Sequence, residues 1–349
     1  MPVVPPPAKI LVTGANGYIA IWVVRLLLEQ GYSVRGTVRT ADKGKYLTEY
    51  FGKRGFGPDK LEVVVVNDIA KEGAFDEAVK GVDAIEHTAS PFVANIVDPQ
   101  GYIKPAVQGT IGIMQSAVKH APGVKRIVIT SSCGAVMAPP SKPSIFTEKD
   151  WNIDSVKEVE EKGVDAQPMS KYRASKTLAE KAAWKFYEEN KANVNWELVV
   201  INPPFVFGPP IHEITGGPAN LNTSLKAWYD AIVSGGPKTQ EFLYTSNSWV
   251  DVRDTALGHI LALQKQEAAG ERIIVCSGAY NWQEWLDVAS TIQPYPLPNH
   301  LPEKGFPGLE TTYMIQYDTA KEKRILGIKL KTKEETTRDT LENLAARGW

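Results

Sequence analysis

Cysteine is scarce in this chain. Cys133 and Cys276 are the only two in 349 residues, too few for a disulfide framework. Net charge is nearly absent, −1 from 39 basic and 40 acidic residues. That leaves no electrostatic footprint for nucleic acid or an anionic membrane. No apolar run approaches membrane-spanning length. The five histidines stand singly, without the paired spacing of a metal site. The opening Met-Pro-Val-Val-Pro-Pro-Pro-Ala-Lys lacks the charged and apolar regions of a secretory leader. There is no internal repeat, and low complexity is confined to that proline-rich start. These absences lead to the expectation of a soluble, cytoplasmic protein with no metal and no nucleic-acid or membrane partner.

What is present reads as an ordinary globular chain, long enough for one large unit or two closely joined lobes. The first 130 residues alternate strand-like and helix-like stretches. Strands are expected at Lys9–Thr13, Ser33–Val38, Leu61–Val66, Val82–Thr88 and Lys125–Ser131. Their near-continuous Val and Ile runs fit parallel strands covered on both faces. Helical stretches such as Tyr18–Glu29 supply the crossovers, which predicts an α/β fold with a doubly wound parallel sheet. A long helix is expected over Met169–Asn190, with Ala174, Leu178, Ala182 and Phe186 facing the core. Trp196–Asn202 reads as a further strand. From Pro209 the composition shifts to Pro, Gly, Asn, Trp and Tyr. Residues 1–208 therefore read as mainly a dinucleotide-binding lobe and 209–349 as mainly a smaller C-terminal substrate lobe. A helix near 251–266 is expected to return to the main lobe.

Thr13-Gly14-Ala15-Asn16-Gly17-Tyr18-Ile19-Ala20 lies where a cofactor loop belongs, between the first strand and the first helix. Gly14 permits the tight turn, and Gly17 lets a pyrophosphate approach the backbone at the helix start. Ala20 stands in the place of the third glycine. NAD sites carry an acid about 20 residues past the glycines. Here that position is Arg39, with Lys43 nearby; together they suit a 2′-phosphate and favour NADP(H). The alternative is a solvated basic turn with Asp42 as a late acid. Asp68 and Ile69, just past the third strand, are placed to meet adenine.

Thr130-Ser131-Ser132 closes the fifth strand at the carboxyl edge, where such sheets bind ligands. Forty residues later comes Tyr172, with Lys176 four positions on and so on the same helical face. A serine hydroxyl there can hydrogen-bond a carbonyl, and a phenol beside it can protonate the oxygen. A cation four residues away favours the phenolate and lowers a pKa that is near 10 in free tyrosine. Lys176 can also reach ribose hydroxyls. The same Tyr-x-x-x-Lys spacing recurs at Tyr187/Lys191 and Tyr317/Lys321, but neither pair follows a Ser-Ser strand end. Spacing does not choose between Ser131 and Ser132. Cys133 is expected to be a packed residue, His87 a satisfied core histidine, and Trp282 and Trp285 packing for a small-lobe helix.

These segments, with Val-Arg-Gly-Thr-Val-Arg ending at Arg39 and His-Thr-Ala-Ser-Pro starting at His87, resemble the extended short-chain dehydrogenase/reductases. More narrowly, the chain is similar to the dihydroflavonol-reductase-like branch, including fungal aldehyde, ketone and methylglyoxal reductases. The resemblance runs from Lys9 to about Leu341. It implies a Rossmann-type fold and NADPH-dependent reduction of an aldehyde or ketone. Ser132, the second serine of the run, takes the catalytic role, Tyr172 that of proton donor, and Lys176 that of ribose ligand. It further implies cofactor contacts from Gly14, Asn16, Gly17, Tyr18, Ile19, Arg39, Lys43, Asp68, Ile69, Thr88, Ala89, Ser90 and Thr130. Pro203 and Val206, in Asn202-Pro203-Pro204-Phe205-Val206-Phe207-Gly208, belong to the segment that meets the nicotinamide carboxamide. The substrate pocket is expected from Phe92, Val93, Asn95, Met137 and Ile211. Met137 stands where plant flavonoid reductases carry Asn, which argues against a polyphenol. The rival readings are an NAD-dependent nucleotide-sugar epimerase or dehydratase and a non-catalytic NADP-sensing protein. A small-molecule carbonyl is the expected partner, and the protein is expected to be a monomer or homodimer.

Overall fold

A computed structural model describes residues 1–90 and 96–349. Its centre is a parallel sheet of seven strands: β1 (Lys9–Thr13), β2 (Ser33–Val38), β3 (Leu61–Val65), β4 (Ala84–His87), β5 (Arg126–Thr130), β7 (Glu197–Asn202) and β10 (Arg272–Ile274). The spatial order is β10-β7-β5-β4-β1-β2-β3. β1 pairs with β2 on one side and β4 on the other, so the strand order reverses there. A crevice at the carboxyl ends of β1 and β4 follows from that topology.

Apolar side chains on both faces explain the central strands. β4 and most of β1 and β5 are buried on alternate residues in both directions, as a covered parallel sheet requires. One face is covered by α1 (Tyr18–Glu29), α2 (Ala41–Gly52) and α8 (Val252–Gln264); the other by α3 (Gln100–His120) and α5 (Pro168–Asn190). The crossover from β3 to β4 contains no helix; Phe75, Ala78 and Val79 cover the sheet from turns instead.

β6 (Ser144–Phe146) pairs with β12 (Ile315–Tyr317), and β8 (Phe205–Phe207), β9 (Ser246–Asp251) and β11 (Gly278–Asn281) form a three-stranded sheet. Around them lie α4 (Ile153–Lys162), α6 (Thr223–Ile232), α7 (Gln240–Leu243), α9 (Trp282–Thr291), α10 (Ala320–Ile325) and α11 (Lys333–Ala346). Trp282 and Trp285 pack α9 against Phe207 and Tyr280. After α8 the chain adds β10 to the main sheet, a seventh strand that three residues between turns did not announce.

α5 departs from its expected face. Ala174 is buried, but Leu178, Ala182 and Phe186 are only half-buried, while Lys171, Ser175, Ala179, Glu180 and Ala183 are enclosed. The helix is wedged between α3 and the strand ends, so its buried stripe carries small and polar residues that a hydrophobic pattern passes over.

Candidate active site

Gly14 turns the chain out of β1 with φ +62, a conformation that favours glycine. A Cβ there would lie 3.2 Å from Cα and Cβ of Ala89, the loop after β4. The amide of Gly17 closes the turn onto the Gly14 carbonyl at 2.8 Å, and Gly17 caps α1 without a side-chain acceptor. A helix start so left open is a ready anion site, with Asn16, Tyr18 and Ile19 flanking it. The Tyr18 hydroxyl points away and donates to the Gly208 carbonyl at 2.8 Å. Ala20 is buried and fits where a third glycine would sit.

Arg39 directly follows β2, is exposed, and makes no ion pair among the described residues. Lys43, in the first turn of α2, is engaged with Glu213 at 2.8 Å. Asp68 is exposed and accepts the Ala70 amide at 2.9 Å, while Ile69 packs towards Gly109 of α3. Thr88 donates to the Thr13 carbonyl, and the Ala89 amide donates to Thr13 Oγ1 at 3.0 Å, which fixes Thr88–Ser90 beside the glycine turn. His87 is a satisfied core histidine, 3.0 Å from Thr13 Oγ1. Burial, with Lys176 adding to it, lowers its pKa to about 3. Thr130 is 3.0 Å from His259 Nε2, whose Nδ1 is 2.6 Å from Glu86 Oε2.

The two serines after β5 part company. Ser131 donates to Glu180 Oε2 at 2.6 Å and is buried. Ser132 starts a short 3₁₀ turn over Cys133–Ala135, accepts the Gly134 amide at 2.9 Å, and hydrogen-bonds the Tyr172 hydroxyl. Gly134 lets this happen, since a Cβ there would sit 3.2 Å from Ser132 Oγ and 3.7 Å from the Tyr172 ring. Burial raises the Tyr172 pKa and the Ser132 hydrogen bond pulls it back. The Lys176 ammonium, expected beside the phenol, has its hydrogen bond elsewhere. It donates to Ser90 Oγ at 3.0 Å, and burial lowers its pKa to about 8 against the opposing charge of Glu180. One small cavity is lined by Lys176, Ser90, Ser131, Thr130, His87 and Glu180, which puts the β4, β5 and α5 residues around a common space.

Pro203 accepts the Cys133 amide at 2.9 Å, and the Val206 carbonyl accepts the Ser224 hydroxyl at 2.8 Å. Met137 is buried beside the 3₁₀ turn. Ile211 is buried in the core, its carbonyl accepting the Tyr46 hydroxyl at 2.9 Å. Phe92, Val93 and Asn95 lie outside the described residues. Cys133 is packed with Val136, Ile274 and Cys276, and burial pushes its thiol up, so it is no nucleophile. The rival tyrosines fall away: Tyr187 packs on Trp184 and Trp196, and Tyr317 lies on β12 while Lys321 pairs with Glu271. Sequence reasoning missed Glu180, Asn202 and Arg272 around the serines, and Glu213 beside Lys43. Only Glu180 left a signal, four residues beyond Lys176 on the same stripe.

The glycine turn, the open helix start and the Arg39 guanidinium, unpaired among the described residues, fit a phosphorylated dinucleotide, and Ser132, Tyr172 and Lys176 stand at the same carboxyl edge of the sheet. Ketoreductase azaE of Aspergillus niger is 37% identical over 333 residues, which cover 92% of each protein. NADPH-dependent methylglyoxal reductase GRE2 of Saccharomyces cerevisiae is 36% identical, covering 96% of this chain and 98% of that one. The crystal structure of yeast methylglyoxal/isovaleraldehyde reductase Gre2 complexed with NADPH superposes with a TM-score of 0.85 at 34% identity, covering 97% of this chain and 99% of that chain. Residues 10–277 match the NAD dependent epimerase/dehydratase family, and with the glycine turn, the Ser132–Tyr172 contact and these relatives, the chain belongs to that family, within the extended short-chain dehydrogenase/reductases.

Proposed function

We propose that this protein reduces an aldehyde or ketone to the alcohol, using NADPH. The carrying observation is that Ser132 and the Tyr172 ring meet around Gly134, with Lys176 one turn away and bonded to Ser90 of the loop after β4. Gly14, Gly17 and the start of α1 would hold the pyrophosphate. Arg39 would hold the 2′-phosphate, joined by Lys43. Asp68 and Ile69 would border adenine, and Lys176 the nicotinamide ribose. Bound NADPH supplies a hydride to the carbonyl carbon. Ser132 donates to the carbonyl oxygen and holds it beside Tyr172. Tyr172 gives that oxygen its proton as negative charge develops there, the moment at which a positioned donor contributes most. The charge of Lys176 favours the phenolate left behind. Met137 gives the wall near Ser132 an apolar surface, which suits an aldehyde or ketone with an apolar substituent.

The relatives support this reading, one being a ketoreductase and the other an NADPH-dependent methylglyoxal reductase. Functionally, the chain divides near Gly208 into a cofactor lobe and a substrate lobe. No described helix is long and apolar enough to cross a membrane. Two buried free thiols suit a reducing compartment, and we place the protein in the cytoplasm as a monomer or homodimer. The test is Tyr172→Phe, which should abolish NADPH oxidation with simple aldehydes while NADPH binding stays nearly unchanged. Full turnover by that variant would refute the mechanism.

A further inference from the structure

Tyr172, Lys176 and Glu180 repeat every fourth residue of α5 and so share one stripe of the helix. Glu180 is buried, and each of its carboxylate oxygens is held by two donors. Oε2 accepts the Ser131 hydroxyl at 2.6 Å and the Asn202 amide at 2.8 Å. Oε1 accepts Arg272 Nε at 2.5 Å and the Trp184 indole at 3.3 Å. Ser131 follows β5, Asn202 ends β7 and Arg272 opens β10, so one carboxylate ties the carboxyl ends of β5 and β7 and the start of β10 to the helix. The Asn202 amide also donates to the Ser132 carbonyl at 3.2 Å. The peptide that carries Ser132 is therefore fixed, through Ser131 and Asn202, to the helix that carries Tyr172.

We propose that Glu180 is a positioning residue for the reaction: its carboxylate sets Ser132 in register with Tyr172, and its negative charge keeps Lys176 an ammonium. This rests on the roles given to Ser132, Tyr172 and Lys176 above. Among the described residues the groups around the pair are few. Lys176 faces His87 from β4, which burial keeps neutral, and Ser90 from the following loop. Behind Glu180 stand Arg272 from β10 and the Cys133 thiol, which burial holds protonated; Glu148 meets the Arg272 guanidinium only through its backbone carbonyl. Burial works against the charge of Lys176, and Glu180 is the group that opposes it.

Glu180→Gln keeps the shape and removes the charge. Its kcat should fall about tenfold, the scale expected of a small misplacement at the reacting groups. KM for NADPH should stay within about threefold, because the glycine turn and Arg39 are untouched. The alkaline limb of the kcat profile, where Lys176 loses its proton, should move to lower pH, and Glu180→Asp should bring it back. Ser131→Ala keeps the charge and the Arg272 pair, so it should lower kcat with the limb in place; it serves even where Gln leaves Arg272 unpaired and the fold fails. A folded Glu180→Gln enzyme with an unmoved limb, or Ser131→Ala with undiminished kcat, overturns the proposal. Full turnover by Tyr172→Phe would instead sink the catalytic assignment on which it rests.

Discussion

At the residue scale, the choice between neighbouring serines shows what side-chain direction does. Both serines turn to one stripe of α5, two helical turns apart: Ser131, directly after β5, donates to Glu180, while Ser132, capping the 3₁₀ turn, stands against Tyr172. The spacing from either serine to Tyr172 is nearly the same, so the sequence had no means of choosing. Arg39 was legible because its position is set by a local rule, a fixed distance past the glycine turn. It is exposed and unpaired among the described residues, so its guanidinium carries charge with no competing acid. Lys43 differs, since Glu213 already holds it. Replacing Arg39 with Ala should raise KM for NADPH roughly 10- to 100-fold, the worth of charge-assisted hydrogen bonds. KM for NADH should change little, and steady-state kinetics with both cofactors reads the difference.

At the element scale, the strand–turn–helix unit of β1 and α1 was the most legible part of the chain. Its requirements are steric and local: a positive φ at Gly14 and an uncapped helix start at Gly17. Gly14→Ala would add strain at that φ and press on Ala89. The strain should cost about 1–3 kcal/mol. The Tm should drop by several degrees, and isothermal titration should show weaker NADPH binding in the same variant. α5 was legible in extent but not in face. Hydrophobic periodicity finds apolar stripes, whereas the buried stripe of α5 holds Lys171 and Glu180, satisfied by partners from elsewhere in the fold, and Ser175, which donates to the Tyr172 carbonyl one turn back.

At the scale of the whole molecule, the short segment after β8 is held from three sides. Gly208, Pro209, Pro210 and Ile211 offer their carbonyls to Tyr18, Trp22, Arg347 and Tyr46, so α1, α2 and the C-terminal end of the chain grip one connection. Global stability should also carry a mark of His87. Its folded pKa, about 3, lies below the 6.5 of a free imidazole. Above the unfolded value its contribution is fully present; as pH falls towards the folded value, the unfolded chain takes up the proton and the contribution is lost. His87→Asn, whose amide can still meet Thr13, should flatten the acid side of the stability profile by up to about 1.4 kcal/mol per pH unit. Chemical denaturation of both proteins at a series of pH values below neutral measures this, and equal slopes would contradict it.

The amino-acid sequence by itself determined the parallel sheet, the glycine turn, the basic residue at the end of β2 and the Tyr172/Lys176 pair. Each follows from periodicity or spacing within a few residues, and steric preferences act over that range. Tertiary structure alone decided which serine faces Tyr172, where the Lys176 ammonium goes, and which carboxylate stands behind them. Glu180 meets Asn202 across 22 residues, Ser131 across 49 and Arg272 across 92. Contacts at such separations are made by strand order and crossover, and no local pattern encodes which polar partners the packed sheet edge will bring together.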